Sequence, residues 1–412
     1  MYDLVIVGGG AAGFYAAASL RQQVPNASVL LLERGNEFLT KVKVSGGGRC
    51  NVTHSEFDAR ELTTHYPRGQ KELLGPFYHY GPADTLAFFE AFGVELKTEE
   101  DGRIFPVSDS SQTIIDCLQQ AAKGPKIEWR TKSPVQSVSL DQDSGMWSVA
   151  LKEQTLSGRM VLIATGSNPK IWKLLESLGH RIVPPVPSLF TFRIQHPLLQ
   201  GLQGISLNVA LSITPNHPDF KTPLESSGPL LITHRGLSGP AILRLSAWGA
   251  RVLNALDYRF ELQVNWLPHH DRDSLEQYLQ QVRKEQAKKK IANTVFADLP
   301  KRLWVRFVEE GGLQHTRWAD CKRSQMDELI ESLMASRFAV TGKDTFKEEF
   351  VTAGGVDLRD VDFKGFESKK YPGLFFAGEV LNVDAITGGF NFQNAWTGAH
   401  LAAQKIAERL RD

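Results

Sequence analysis

Gly8, Gly10 and Gly13 stand in the spacing G-x-G-x-x-G, and Glu33 follows Gly13 by 20 residues. Those residue types at those intervals suit the binding of a dinucleotide, FAD or NAD. Gly8 permits a tight turn, Gly10 lets the backbone approach a pyrophosphate, and Gly13 lets a helix pack closely on a strand. A carboxylate at Glu33 can take both hydroxyls of an adenosine ribose and disfavours a 2′-phosphate. The surrounding residues supply the frame. Leu4 to Val7 reads as a strand ending at Gly8, Ala11 to Val24 as a helix broken by Pro25-Asn26, and Ser28 to Leu32 as a second strand. A phosphate then sits at the helix N-terminus, where free N–H groups and the dipole favour an anion. The competing reading is a glycine loop of structural use only. A secretory leader over Leu4 to Leu20 is rejected, because it has no basic start and its middle is the glycine fingerprint.

A second unusual stretch is KVKVSGGGRCNVTH, residues 41 to 54. Its three glycines, between a strand-like piece and a polar turn, permit close backbone approach to a flat or anionic ligand. Arg49, Cys50 and Asn51 follow directly and offer a cation, a thiol and an amide. Cys50 is the first candidate proton donor, since an ordinary thiol is mostly protonated at neutral pH. A small buried hydrophobe is its other reading. Arg49, Asn51 and His234 come next. His234 and Arg235 precede a glycine turn and a helix in ITHRGLSGPAIL, residues 232 to 243, where a structural histidine is the commoner case.

The three cysteines, Cys50, Cys117 and Cys321, form no C-x-x-C pair, which argues against a dithiol centre, so redox chemistry must come from a bound cofactor. A chain of 412 residues with 42% hydrophobic and 23% charged content is an ordinary globular protein of two or three domains. No run approaches the roughly 20 apolar residues of a membrane span, and a cytoplasmic location is expected. The net charge of +1 makes no global case for nucleic acid, but Arg283 to Arg323 holds 11 Lys or Arg against 5 Asp or Glu. A solvated helix face is the plain reading of such a run.

Along the chain, Leu86 to Phe92 reads as a helix, and 103 to 122 turns at Pro106 into another, capped by Asp109 or Ser110. Ile127 to Arg130, Pro134 to Leu140 and Trp147 to Leu151 read as a β-meander. Met160 to Ala164 is a buried-type strand ending in Ala164-Thr165-Gly166. From Pro184 to about Pro268 a β-rich insert follows, with strands at Leu189 to Ile194, Ser206 to Ile213, Leu230 to Thr233 and Tyr258 to Val264. Arg272 to Val308 and Ser324 to Met334 read as helices. The end of the chain returns to the first domain, with a strand at Leu374 to Ala377, Gly378-Glu379, a turn through Asp384 and Gly388-Gly389, and a helix from Asn394 to Leu410. The start of that helix can face a flavin's pyrimidine end, which favours FAD over NAD.

GGGAAG at 8 to 13, the 41 to 54 stretch, THRGLSGPAIL at 233 to 243, VTAGGV at 351 to 356 and FFAGEVLNVDAITGGFNFQNAWTGAHLA at 375 to 402 together resemble the BaiN/YhiN-type flavoproteins from end to end. The resemblance implies an α/β fold, with a Rossmann-like FAD domain of the two-dinucleotide-binding-domain type from residues 1–186 and 341–412. An inserted β-barrel-like domain (187–268) and a helical segment (269–340) complete it. FAD would be bound non-covalently by Gly8, Gly10, Ala11 and Gly13 at the pyrophosphate, Glu33 and Arg34 at the ribose, and Val135 at the adenine. Thr165 and Gly166 would lie along it. Gly378, Glu379 and Asp384 would hold the ribityl and phosphate end, and Gly389, Phe390 and Asn391 with the loop of Ser45, Gly47 and Asn51 would approach the isoalloxazine. His54 and Arg235 depart from the residues usual in relatives.

The resemblance also implies an oxidoreductase that reduces a ring C=C bond, in a ribosomal RNA uridine or a steroid-type alkene; no second G-x-G-x-x-G appears, so NAD(P)H is expected to visit the flavin transiently. With RNA as substrate, Arg283, Lys284, Lys288, Lys289, Lys290, Arg302 and Arg323 would contact phosphates. An oxygen-using monooxygenase or oxidase is the alternative, and a non-catalytic FAD protein binding RNA or a partner is the third reading.

Overall fold

The computed structural model describes residues 1–215, 222–294, 299–344 and 351–412. They form two compact units, Met1–Pro187 with Lys347–Asp412, and Ser188–Phe346.

The first unit is organised on a parallel sheet. Its centre is β1 (Tyr2–Val7), whose Leu4, Val5, Ile6 and Val7 are buried, as a strand covered on both faces requires. On one side β1 pairs with β2 (Val29–Leu32), Val5 opposite Leu30. On the other it pairs with Thr155–Ile163, Val5 opposite Val161. Ile127–Arg130 extends the sheet beyond β2 and Leu374–Phe376 extends it beyond Thr155–Ile163, both parallel. Strands 120 to 370 residues from the start of the chain therefore end beside the first glycines. Between β1 and β2 runs α1 (Ala11–Gln23), which packs on the closing helix Phe390–Arg411. Small buried residues, Ala16, Ala17 and Ala18 on one helix and Ala395, Ala399 and Ala402 on the other, allow that approach.

Two expectations change here. Ile127–Arg130 belongs to the parallel sheet, and the meander consists of Ser137–Leu140, Trp147–Ala150 and the first half of Thr155–Ile163. The strand-like KVKV is a short helix, α2 (Thr40–Val44), started by Leu39 in the left-handed region at φ +57 and held by the Lys43 N–H on the Leu39 carbonyl. Helices Ala59–Thr63 and Gln70–His79 and a small sheet of Thr53–His54, Arg103–Pro106 and Leu96–Thr98 fill the region behind the glycine loop. Ser110, of the two candidate caps, accepts from Gln112 N and starts the helix Ser111–Ala122.

The second unit is a closed six-stranded barrel, in the order Thr191–Ile194, Gly236–Ser238, Leu224–Ile232, Ser206–Ile213, Phe260–Asn265 and Ser336–Asp344. Helices Arg272–Glu285, Lys301–Glu310 and Arg323–Met334 share one hydrophobic cluster with it, in which Trp266, Trp304 and Phe307 meet Phe338 and Val264. Residues 187–268 and 269–340, read separately in the sequence, thus share a core, and the barrel strand Ser336–Asp344 crosses the boundary drawn at 341. The basic run 283–290 leaves the helix at Glu285. Residues 295–298, inside the stretch read as helical, lie outside the described residues.

Candidate functional site

The site is built where β1 gives way to α1. Gly8 has φ +119, and a Cβ there would lie 2.3 Å from the Ala164 carbonyl oxygen. A Cβ on Gly13 would lie 2.0 Å from the Gly8 oxygen, so this glycine lets helix and strand touch. At Gly10, the N-cap of α1, a Cβ would meet nothing within 4 Å. Two glycines are therefore required by packing, while the third faces open space at a helix N-terminus, where an anion is favoured. Ala11 opens the helix.

Glu33 closes the loop from the other side. Its Oε2 accepts from Gly9 N at 3.0 Å and its Oε1 from Gly35 N at 2.7 Å, fixing the carboxylate at the end of β2. Arg34 is exposed beside it. Lys132 N donates to the Gly35 carbonyl and Ser133 N to that of Glu33, both at 2.8 Å, so the segment leading to Val135 runs alongside.

Thr165 and Gly166 follow the neighbouring strand. Thr165 Oγ1 is buried with no hydrogen-bond partner, and Gly166, at φ +59, places a would-be Cβ 3.5 Å from Glu379 Oε2. Gly378, at φ +74, lies between Ala12 and Ala395, near the first turns of α1 and of the closing helix. Glu379 accepts from Thr352 N at 3.1 Å and pairs with Lys41 at 2.6 Å. Asp384 is fully buried and held by both arms of the Arg68 guanidinium.

The glycine loop is pinned at both ends to this C-terminal segment. At one end is the pair of Lys41, on α2, with Glu379. At the other is Asn51, which, with its amide turned to satisfy donors and acceptors alike, accepts from Gly389 N at 2.9 Å and donates to Thr53 O at 3.0 Å. Between them Ser45 Oγ donates to Val42 O, and Gly46, Gly47 and Gly48 all have positive φ, with open space over Gly47 and Gly48. Gly389 caps the closing helix. Asn391 is occupied by its neighbour, exchanging two 3.0 Å hydrogen bonds with the backbone of Ala385.

The candidate proton donors fare differently. Cys50 is fully buried, with φ +62, and burial pushes its thiol up to about 12. That burial suits its second reading, a small buried hydrophobe. Arg49 is locked against Glu99 at 2.6 Å and lies over the Phe105 ring at 3.9 Å. His234 is exposed at the turn before Gly236–Ser238, in the second unit. The sequence reading missed a stack at the head of the closing helix. Phe390 packs against both His65, centroids 4.2 Å apart and planes 18° apart, and His54, at 4.7 Å and 29°, and the two imidazoles are themselves 5.9 Å apart. Both ring nitrogens of His54 are engaged, with Asp101 O and Glu56 N at 3.1 Å each. His65 is half-buried, and its carbonyl accepts from Ile386 N at 3.0 Å. HYPRG, residues 65 to 69, carries no motif; its one signal is Gly69, whose absent side chain lets Val383 approach within 2.8 Å of the Cβ position.

The residues present fit a bound FAD. Gly10, Gly47 and Gly48 leave backbone uncovered, and the orphaned oxygens Thr165 Oγ1, Thr352 Oγ1, Asn382 Oδ1 and Asn394 Oδ1 lie in or next to the segments described above.

Comparison with known proteins agrees. Residues 2–405 match the HI0933-like protein Rossmann domain family. The chain belongs to this family. It is 30% identical over 414 residues to the ribosomal RNA dihydrouridine synthase of Escherichia coli K12, covering 98% of each chain. It is 26% identical over 421 residues to the 3-dehydro-bile acid delta(4,6)-reductase of Clostridium scindens, covering 99% of this chain and all of that one. In fold, this HI0933-like flavoprotein is similar to the 3-ketosteroid-delta4-(5alpha)-dehydrogenase of Rhodococcus jostii RHA1, at 13% identity and TM-score 0.51 over 98% of this chain and 96% of that one. A flavocytochrome c3 fumarate reductase gives 16% and 0.50 over 100% and 79%. Among the described residues no helix is long and apolar enough to cross a membrane, and no cluster of His, Cys, Asp and Glu could hold a metal.

Proposed function

We propose that this flavoprotein oxidoreductase takes electrons from NADPH or NADH and reduces a C=C bond in a uracil ring of large-subunit ribosomal RNA, giving dihydrouridine, in the cytoplasm. The observation that carries the reading is similarity across 98% of both chains to a ribosomal RNA dihydrouridine synthase. Bound flavin supplies hydride transfer. The chain's own residues supply the rest. The N–H groups at the start of α1 and the carboxylate of Glu33 hold the dinucleotide, and Thr165 Oγ1 gains the partner it lacks. The N-terminus of Phe390–Arg411 favours negative charge placed before it. The loop 45–51, tied at Lys41 and Asn51, shields the same place from water.

Addition of hydride to one ring carbon requires a proton at its neighbour. An imidazole nitrogen of His65 delivers it, because His65 is a half-buried acid–base group packed on Phe390 at the head of the closing helix, while the Cys50 thiol is sealed. His65→Gln should leave flavin reduction by NADPH unchanged and slow reoxidation by substrate by about 100-fold. Equal rates in that second half-reaction would remove His65 from the role.

The test of the reading is mass spectrometry of digested ribosomal RNA after incubation with the protein and NADPH. A uridine that gains two hydrogens supports it, and unchanged RNA counts against it. The bile-acid reductase relative favours a second reading, a cyclic small-molecule enone, which the same protein and reductant would then saturate.

A further inference from the structure

Residues 283–290 carry five Lys or Arg against one Glu, and residues 315–323 carry three against one Asp. The fold brings the two together. After the helix Arg272–Glu285 ends, Ala319 N donates to Ala287 O at 2.9 Å, Trp318 N to Lys289 O at 3.0 Å, and Ile291 N to Thr316 O at 2.9 Å. Lys290 and Arg317 stand directly opposite in an antiparallel bridge. Two fully buried tryptophans pin this strap from beneath. Trp304 Nε1 donates to Ile291 O at 3.0 Å and Trp318 Nε1 to Thr294 Oγ1 at 2.7 Å, with the indoles stacked 6.5 Å apart. Lys288, Lys289, Lys290, Arg317 and Lys322 are all exposed on it.

We infer that this strap is a docking surface for the phosphate backbone of RNA. The inference rests on the RNA reading above and adds the place where the strand is held. Like charges directly opposite in a β-pair destabilise it, so Lys290 against Arg317 is unfavourable until a polyanion lies across them. Lys288 and Lys289 are exposed in the turn that leads into the bridge, and a backbone fixed by these hydrogen bonds spaces the charges without ordering a loop on binding. The neighbouring acids are few: Glu285 accepts from Gln281, Glu276 lies 3.7 Å from Arg323, and Asp320 is exposed. The large exposed hydrophobics among the described residues, Met1, Phe57, Tyr78, Val107 and Trp248, all lie elsewhere in the sequence. A membrane surface would need an apolar anchor here and a protein partner an aromatic or aliphatic core, whereas phosphates need charge alone.

The test uses the full-length holoprotein and a transcribed ribosomal RNA fragment, with affinity measured by anisotropy across a salt series. Lys288→Gln, Lys290→Gln and Arg317→Gln combined should flatten the slope of log K against log salt by about 2 to 3 and weaken binding about tenfold or more at low salt. Flavin content, melting temperature and reduction by NADPH should stay unchanged. An unaltered slope with RNA still converted overturns the strap and leaves the substrate reading standing. Wild-type protein that neither binds nor converts RNA overturns both. Equal loss of binding to anionic vesicles or polyglutamate, with RNA unaffected, assigns the surface to another partner and overturns the inference.

Discussion

Gly10 and Gly13 are three positions apart and would respond oppositely to the same methyl group. At Gly13 a Cβ collides with the Gly8 carbonyl oxygen, so Gly13→Ala should destabilise the fold by about 2 kcal/mol or more, seen as a lower melting temperature even without flavin. At Gly10 the backbone is extended, at φ −92 and ψ −165, and the space is open, so Gly10→Ala should melt as the parent does while purifying with little flavin. Equal stability losses in the two variants would refute this division of roles. The tight turn at Gly8 and the close packing at Gly13 were legible because the spacing itself sets them, the second being a contact five residues away. Cys50 was not, because its burial comes from segments packed over it. Its thiol, held at about 12, should resist alkylation in the native protein at pH 8, and Cys50→Ala should still turn over. Rapid labelling of Cys50 without unfolding would contradict its burial.

Among elements, the closing helix carries a consequence of its own packing. His400 lies stacked on Tyr80 at 3.9 Å, its Nδ1 is buried without a partner, and burial lowers its pKa to about 4, opposed by Asp84. The unfolded chain takes up a proton near pH 6.5 and the folded chain does not until about 4, so His400 costs stability as pH falls through that window. The melting temperature should drop between pH 6.5 and 4, and less in His400→Gln; an identical drop in both would remove His400 as a cause. Element types were mostly readable from pattern, and the failures are instructive. Alternating Lys and Val in KVKV suggests a strand, yet Leu39 in the left-handed region starts a helical turn that carries Lys41 to Glu379. The basic run suggested a helix face because nothing within 283–290 announces pairing with 316–319, a partner chosen by two buried tryptophans.

At the scale of the whole molecule, the sequence told that both ends of the chain build one Rossmann-like unit, since strand, glycine and helix recur at each end. Sheet order and barrel closure were not legible, for Ile127–Arg130 beside β2 and Ser336–Asp344 in the barrel are pairings over long separations. The two ends are needed together. Gly8, Thr165, Gly378 and Gly389 come from four segments, and no one of them makes a place for a flavin alone. The most direct measurement of the central claim is anaerobic rapid mixing of the yellow holoprotein with NADPH or NADH, followed by ribosomal RNA. Bleaching of the flavin and its return on adding RNA, with dihydrouridine formed in step, is the predicted result. Bleaching that reverses only with oxygen, releasing hydrogen peroxide, would contradict it.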